Sequence, residues 1–136
     1  MRNRGSVVIS QGNKVGLIKR VRDNSVYFVF PGGGIEADET PEQAAKREAF
    51  EELGVTVELK ECLVELEKQG TPYFFLADII HGTIGSGQGE EFTNSNRDRG
   101  TYLPMWVDID DLTVMDVKPK VVAKKVQEYF ARKHSS

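Results

Sequence analysis

Apolar and polar residues alternate along this chain with two different periods, and the switches between them lay out the elements. Residues 6–10 and 14–21 are rich in β-branched and aliphatic side chains. Gln11-Gly12-Asn13 between them is a turn signal, so a hairpin is predicted. Arg22-Asp23-Asn24-Ser25 marks a second turn, and residues 26–30 predict a buried strand that ends at Pro31. Period two returns on Val55, Val57 and Leu59. It resumes one residue out of phase on Cys62, Val64 and Leu66, which predicts a bulge near Lys60-Glu61 inside a strand over residues 55–68 and places Cys62 in the core. Further strands are predicted over residues 71–81 and 101–109, the latter with Leu103, Met105, Val107 and Ile109 on one face. Residues 82–100, rich in Gly, Ser and Asn, predict a long mobile loop. Over residues 117–132, Val122, Val126, Tyr129 and Phe130 recur at helical spacing, with the lysines facing solvent. No repeat, low-complexity segment or linker interrupts this order, so residues 1–136 are expected to form a single domain.

The segment between the third and fourth predicted strands has a different character. Thr40-Pro41-Glu42-Gln43 is a helix start: Thr40 caps, Pro41 suits the first helical position and Gln43 completes a capping box. The helix should run to Leu53 and stop at Gly54. Ala45, Ala49 and Leu53 form a thin apolar stripe that should face the core, and Glu48, Glu51 and Glu52 form another stripe. Like charges three and four residues apart repel, and the C-terminal half of a helix disfavours negative charge. A helix built only for stability would not carry that second stripe, whereas a divalent cation reverses the sign of the effect. Carboxylates are hard oxygen ligands suited to Mg²⁺ or Mn²⁺. Arg47 stands four residues before Glu51 and can hold its carboxylate in position. Upstream, Gly32-Gly33-Gly34 permits close backbone approach and positive φ, and a carbonyl from it can complete a metal shell. No Gly-Lys-Ser/Thr follows, so this is not a phosphate-cradling P-loop.

Composition narrows the setting. The chain has 136 residues, 39% hydrophobic and 29% charged, ordinary for one globular domain. Its formal charge of −3 argues against a surface built for nucleic acid. That charge is local: Glu36 to Glu52 contains seven acids and two bases, a net −5 that leaves +2 elsewhere. One cysteine rules out a disulfide framework or a Cys-rich zinc site. No apolar run reaches membrane-spanning length and the first residues do not read as a secretory signal, so a cytoplasmic location without membrane contact is expected.

These residues together resemble the Nudix box, G-x5-E-x7-R-E-U-x-E-E-x-G-U with U aliphatic. The match runs from Gly33 through Glu39, Arg47, Glu48, Glu51, Glu52 and Gly54 to Val55. Ala49 departs from the pattern at the first aliphatic position, where its smaller volume asks the core to compensate, and Asp38 stands where many members have Gly. The strand entering PGGG and the WVDIDDL stretch are also similar to the family. The resemblance implies an α+β fold, a mixed β-sheet sandwiched between helices (α/β/α). It also implies divalent-metal-dependent hydrolysis of a nucleoside diphosphate linked to another moiety, such as a nucleoside triphosphate, by water attack at phosphorus. Carried over by position, Glu48, Glu51, Glu52 and the carbonyl of Gly32 would be metal ligands for Mg²⁺, with Mn²⁺ a substitute. Glu39 and Arg47 would be structural or orienting. A non-catalytic nucleotide sensor of the same fold is the alternative. The expected partner is a small nucleotide, with no stable nucleic-acid partner, in a monomer or homodimer.

Outside the box, Glu90 and Glu91 stand beside Glu48 as candidates for the general base or for metal binding, with ordinary loop charge as the plainer reading. Arg97 and Arg99, in NSNRDRG, are candidates to grip a terminal phosphate, again against a reading as solvated loop residues. Among Tyr27, Phe28, Tyr73, Phe74 and Phe75, alternation sends some rings to the core and leaves others to stack on a base. Trp106 is read as core, and His81 and His134 as structural or solvated, since no partnered nucleophile accompanies them.

Overall fold

A computed structural model describes residues 3–65, 72–84 and 101–135. Strands β1 (Arg4–Gln11), β2 (Lys14–Arg22) and β3 (Ser25–Val29) form two successive hairpins. In the second, Asp23 and Asn24 carry φ of 52° and 68°, the left-handed pair that a two-residue hairpin turn requires. The short β4 (Gly32–Gly34) follows, then α1 (Pro41–Leu53), β5 (Thr56–Glu65), β6 (Pro72–His81) and β7 (Thr101–Asp108). A 3₁₀ turn (Ile109–Asp111), β8 (Val117–Lys118) and α2 (Lys120–Ser135) complete the described chain.

The strands run in the order β5-β6-β1-β2-β3-β8, with β4 also paired to β1 and β7 to β2. β1 pairs in parallel with β6, and β3 with β8; the other pairings are antiparallel. β1 is where the sheet divides. Its first half lies between β6 and β4, and only Ser10 and Gln11 at its far end reach β2. Strands β3 and β8 therefore splay away from the start of β1.

Alternation along the strands supplies two cores. Val7, Ile9, Phe75 and Ala77 face one side, where Ala45, Ala49 and Leu53 of α1 cover them. Val8, Phe74 and Leu76 face the other, where Val122, Val126 and Phe130 of α2 pack. The mixed sheet thus lies between two helices, as expected of the α/β/α arrangement. Among the described residues no helix is long and apolar enough to cross a membrane.

Four expectations need correction. Residues 26–30 are buried only toward their end: Phe28 and Phe30 are buried and Tyr27 and Val29 half-buried, while Val26, on the same face as Phe28 but beside the hairpin turn, is exposed because β8 covers β3 only at Phe28 and Val29. Helix α2 starts at Lys120, because residues 117–118 pair with β3 as a strand. The register of β5 does shift between Leu59 and Cys62, but the shift turns Cys62 out to solvent and sends Leu63 toward the α2 core. The three glycines of β4 lie outside the positive-φ region; they form a strand against β1.

Candidate functional site

Helix α1 forms as its sequence dictates. The Thr40 hydroxyl accepts from the Gln43 amide at 3.1 Å, the Gln43 side chain accepts from the Thr40 amide at 2.9 Å, and Gly54 ends the helix with φ of 73°. Its buried stripe is small, with Ala44, Ala45 and Ala49 ahead of Leu53, so the helix axis comes close to β1. The first turns of the helix approach most closely: a Cβ on Gly5 of β1 would stand 2.7 Å from the Pro41 carbonyl oxygen and 3.0 Å from the Ala45 nitrogen.

Close docking brings the polar face of α1 over β4, and Arg47 is its hub. Arg47 Nε donates to Glu39 Oε2 at 2.6 Å and Nη2 to Glu39 Oε1 at 3.0 Å, a two-pronged ion pair. Nη2 also donates to the Gly34 carbonyl at 3.0 Å, while Nη1 donates to Glu48 Oε2 at 3.0 Å and Glu51 Oε1 at 3.2 Å. Hydrogen bonding from Arg47, reinforced by the Glu36 amide, holds the Glu39 carboxyl at about 2, well below its ordinary 4.5. The same pairing with Glu39 raises the Arg47 guanidinium above its usual value.

The glycines of β4 fit this arrangement through their missing side chains. A Cβ on Gly33 would collide with the Glu48 carboxylate, and one on Gly32 with the Ser6 side chain. The Gly32 amide donates to Glu52 Oε1 at 2.9 Å. Glu48 and Glu51 thus share one guanidinium nitrogen, and Glu52 is engaged from the strand. Among the described residues, no three His, Cys, Asp or Glu side chains converge as a ready ligand cage. The donor set is nonetheless all oxygen: the carboxylates of Glu39, Glu48 and Glu51 share a single guanidinium, and Glu52 is held by the Gly32 amide. That surplus of negative charge suits a hard divalent cation.

On the opposite face of β4, where the sheet divides, lies a cavity of about 360 Å³. Phe30 and Phe74 wall it with rings edge to face at 5.9 Å, and Arg4, Ser6 and Lys118 also line it. Arg4 Nη2 donates to the Gly32 carbonyl at 3.4 Å, so the cavity and the carboxylates meet at one residue of β4.

Of the site residues read from sequence, the structure gathers Gly32, Arg47, Glu48, Glu51 and Glu52. Glu90, Glu91, Arg97 and Arg99 lie outside the described residues. Phe74 of the aromatic candidates lines the cavity, and Trp106 packs against the α1 core. Sequence reasoning missed Arg4 and Lys118. Arg4 sits in a stretch weighed only as a leader, and Lys118 in a predicted helix. Pro119 was the available signal that a helix should begin only after Lys118.

The family model for the NUDIX domain matches residues 1–129. Among solved structures, a NUDIX hydrolase from Nitrosomonas europaea is 20% identical with a TM-score of 0.73, the match covering 97% of this chain and 90% of that one. A MutT structure, from work on Aliivibrio salmonicida and Vibrio cholerae, is 24% identical with a TM-score of 0.67, covering 94% and 98%. A UDP-X diphosphatase is 17% identical with a TM-score of 0.68, covering 98% and 64%.

Proposed function

The chain belongs to the NUDIX domain family, the Nudix hydrolases, and on that premise we propose that it hydrolyses a pyrophosphate linkage in a small nucleotide with Mg²⁺ or Mn²⁺. The substrate is a nucleoside diphosphate joined to another moiety, with a nucleoside triphosphate the leading member, and water attacks at phosphorus. The observation that carries this reading is the cluster of carboxylates around Arg47, set against a strand of glycines. A polyanionic substrate is repelled by such a cluster unless cations bridge the two. Glu48, Glu51, Glu52 and the carbonyl of Gly32 are the groups that would hold the cation. When bound, it polarises phosphoryl oxygens and lowers the pKa of coordinated water.

The chain's own residues orient this site. Glu39 fixes Arg47, Arg47 fixes the carboxylates of Glu48 and Glu51, and its bond to Gly34 ties α1 to β4. The Gly32 amide orients Glu52 from the strand side. The Phe30–Phe74 cavity offers an apolar slot for the nucleoside, reached from the carboxylates past Gly32.

A product-release assay tests the proposal across nucleoside triphosphates, ADP-ribose, dinucleoside polyphosphates and nucleotide sugars. At least one class should turn over with Mg²⁺ and stop on chelation. No turnover of any class by folded protein, with Mg²⁺ or Mn²⁺, would overturn it. Tight nucleotide binding without product would identify a sensor instead.

A further inference from the structure

Strand β4 meets β1 along one edge, and side chains reach the backbone groups on its other edge. The Val7 amide bonds to the Pro31 carbonyl and the Ile35 amide to the Asn3 carbonyl, each at 2.9 Å. Alternate residues of an antiparallel ladder face away from the partner strand, so Gly32 and Gly34 present their backbone groups outward. Glu52 takes the Gly32 amide at 2.9 Å, Arg47 the Gly34 carbonyl at 3.0 Å, and Arg4 the Gly32 carbonyl at 3.4 Å.

The two arginines on this edge differ. Arg47 is only 25% exposed and pairs with Glu39, Glu48 and Glu51. Arg4 is exposed, reaches Gly32 from the cavity side of the strand, and pairs with no carboxylate among the described residues. Its bond is longer than the usual range for an N–H donor, so little holds the side chain in place. The oxygen it contacts is the carbonyl that the reading above assigns to the divalent cation. A guanidinium at that oxygen repels a cation bound to the same atom.

We propose that Arg4 contends with the divalent cation for the Gly32 carbonyl, and so couples cation binding to the arrival of the substrate's phosphate groups. This rests on the hydrolase reading above and concerns how that site assembles. Without an anion, Arg4 weakens the hold of the site on a cation. A phosphate offers Arg4 a charged partner that matches its forked donors, in place of one neutral carbonyl at long range. Once Arg4 turns to the phosphate, the carbonyl is released to the cation, and the anion offsets the repulsion between the two positive groups. Cation and polyanion then bind more tightly together than apart, and by linkage each raises the affinity for the other by the same factor.

Two binding titrations on the folded protein test this without turnover: Mn²⁺ alone, followed by electron paramagnetic resonance, and inorganic phosphate at saturating Mn²⁺, followed by calorimetry. Arg4→Met keeps an apolar stem and removes the charge, whereas Arg4→Lys keeps the charge. Arg4→Met should bind Mn²⁺ alone more tightly than wild type, by roughly fivefold or more, the scale of one exposed charge a few ångströms from a divalent ion. It should bind phosphate more weakly, by roughly tenfold, the scale of one hydrogen bond to a charged group. Arg4→Lys should stay near wild type in the Mn²⁺ titration. Opposite signs are the signature: damage to the fold weakens both, and a plain phosphate ligand leaves Mn²⁺ binding alone unchanged. Mn²⁺ binding to Arg4→Met that equals or falls below wild type, or unchanged phosphate affinity, would overturn the proposal and leave the hydrolase reading in place. A wild-type protein without saturable Mn²⁺ binding would overturn the cation site itself, and the role of Arg4 with it.

Discussion

Helices α1 and α2 cover opposite faces of one sheet and hold their places by different means. α2 buries Val122, Val126 and Phe130, bulky side chains that fill the space between helix and sheet, and its lysines at 120, 124 and 125 are left in solvent. α1 buries alanines and one leucine, and it sits close because Gly5 of β1 has no side chain. Its charged face is only partly left in solvent, with Glu51 at 56% exposure. Arg47 and Glu48 are only 25% and 14% exposed, and hydrogen bonds link that face to β4. One helix is fixed by volume, the other by close approach and polar geometry. The difference teaches where chemistry can be placed. A helix seated on small residues brings its backbone, and therefore short reaches from Glu48 and Glu52, against a neighbouring strand.

Mutations that separate activity from stability sharpen this contrast. The largest effect belongs to α1: Glu51→Gln or Glu52→Gln should lower kcat by about 10²–10³, the usual scale for removing one electrostatic contact to the reacting group. The melting temperature should hardly move, since Gln at position 52 still offers an oxygen to the Gly32 amide. Unchanged kcat would refute the ligand assignment. The converse belongs to α2: Phe130→Ala should cost about 3–5 kcal/mol in denaturant unfolding while turnover per folded molecule is kept. Gly5→Ala tests the close approach itself. Its Cβ would press on the Pro41 carbonyl, so stability should fall by about 1–3 kcal/mol and activity with it. Wild-type stability and turnover in the Gly5→Ala protein would show that α1 does not depend on that contact.

Smaller effects come from the start of α1. Thr40→Ala removes the capping oxygen and should cost about 1 kcal/mol by thermal unfolding. The pH dependence follows from Glu39. Arg47 holds its carboxyl at about 2, against an ordinary 4.5. A lowered folded-state value means that the stabilisation is fully present above about 4.5 and is lost as pH falls toward 2. Arg47→Gln should flatten that part of the stability–pH curve, and an unchanged curve would remove the pair from the account.

The same contrast explains what the sequence made legible. The helix α1, with its capping box, its glycine stop and its two stripes, is written locally: each signal lies within a few residues of the next. The meeting of Arg47 with Glu39 and of Glu52 with Gly32 rests on the box resemblance and on a close approach between elements. The Phe30–Phe74 cavity is lined by Arg4 and Ser6, from the part of β1 that pairs with β4 before its end reaches β2, a long-range fact with no local trace. The outward turn of Cys62 shows the limit of periodicity at a bulge, where the phase predicts a shift but not which residue is extruded. Lys118 shows a related limit: helical spacing downstream predicts a helix across Pro119, whereas pairing with β3 claims the two residues before it.

The claim at the centre is that the crowded carboxylates of α1 exist to hold a divalent cation. Titration of the folded protein with Mn²⁺, followed by electron paramagnetic resonance, tests it most directly. Saturable binding that is lost or strongly weakened in Glu51→Gln and Glu52→Gln proteins of unchanged fold is the predicted result. Absence of saturable binding in the wild-type protein, or binding equally strong in both variants, would contradict it.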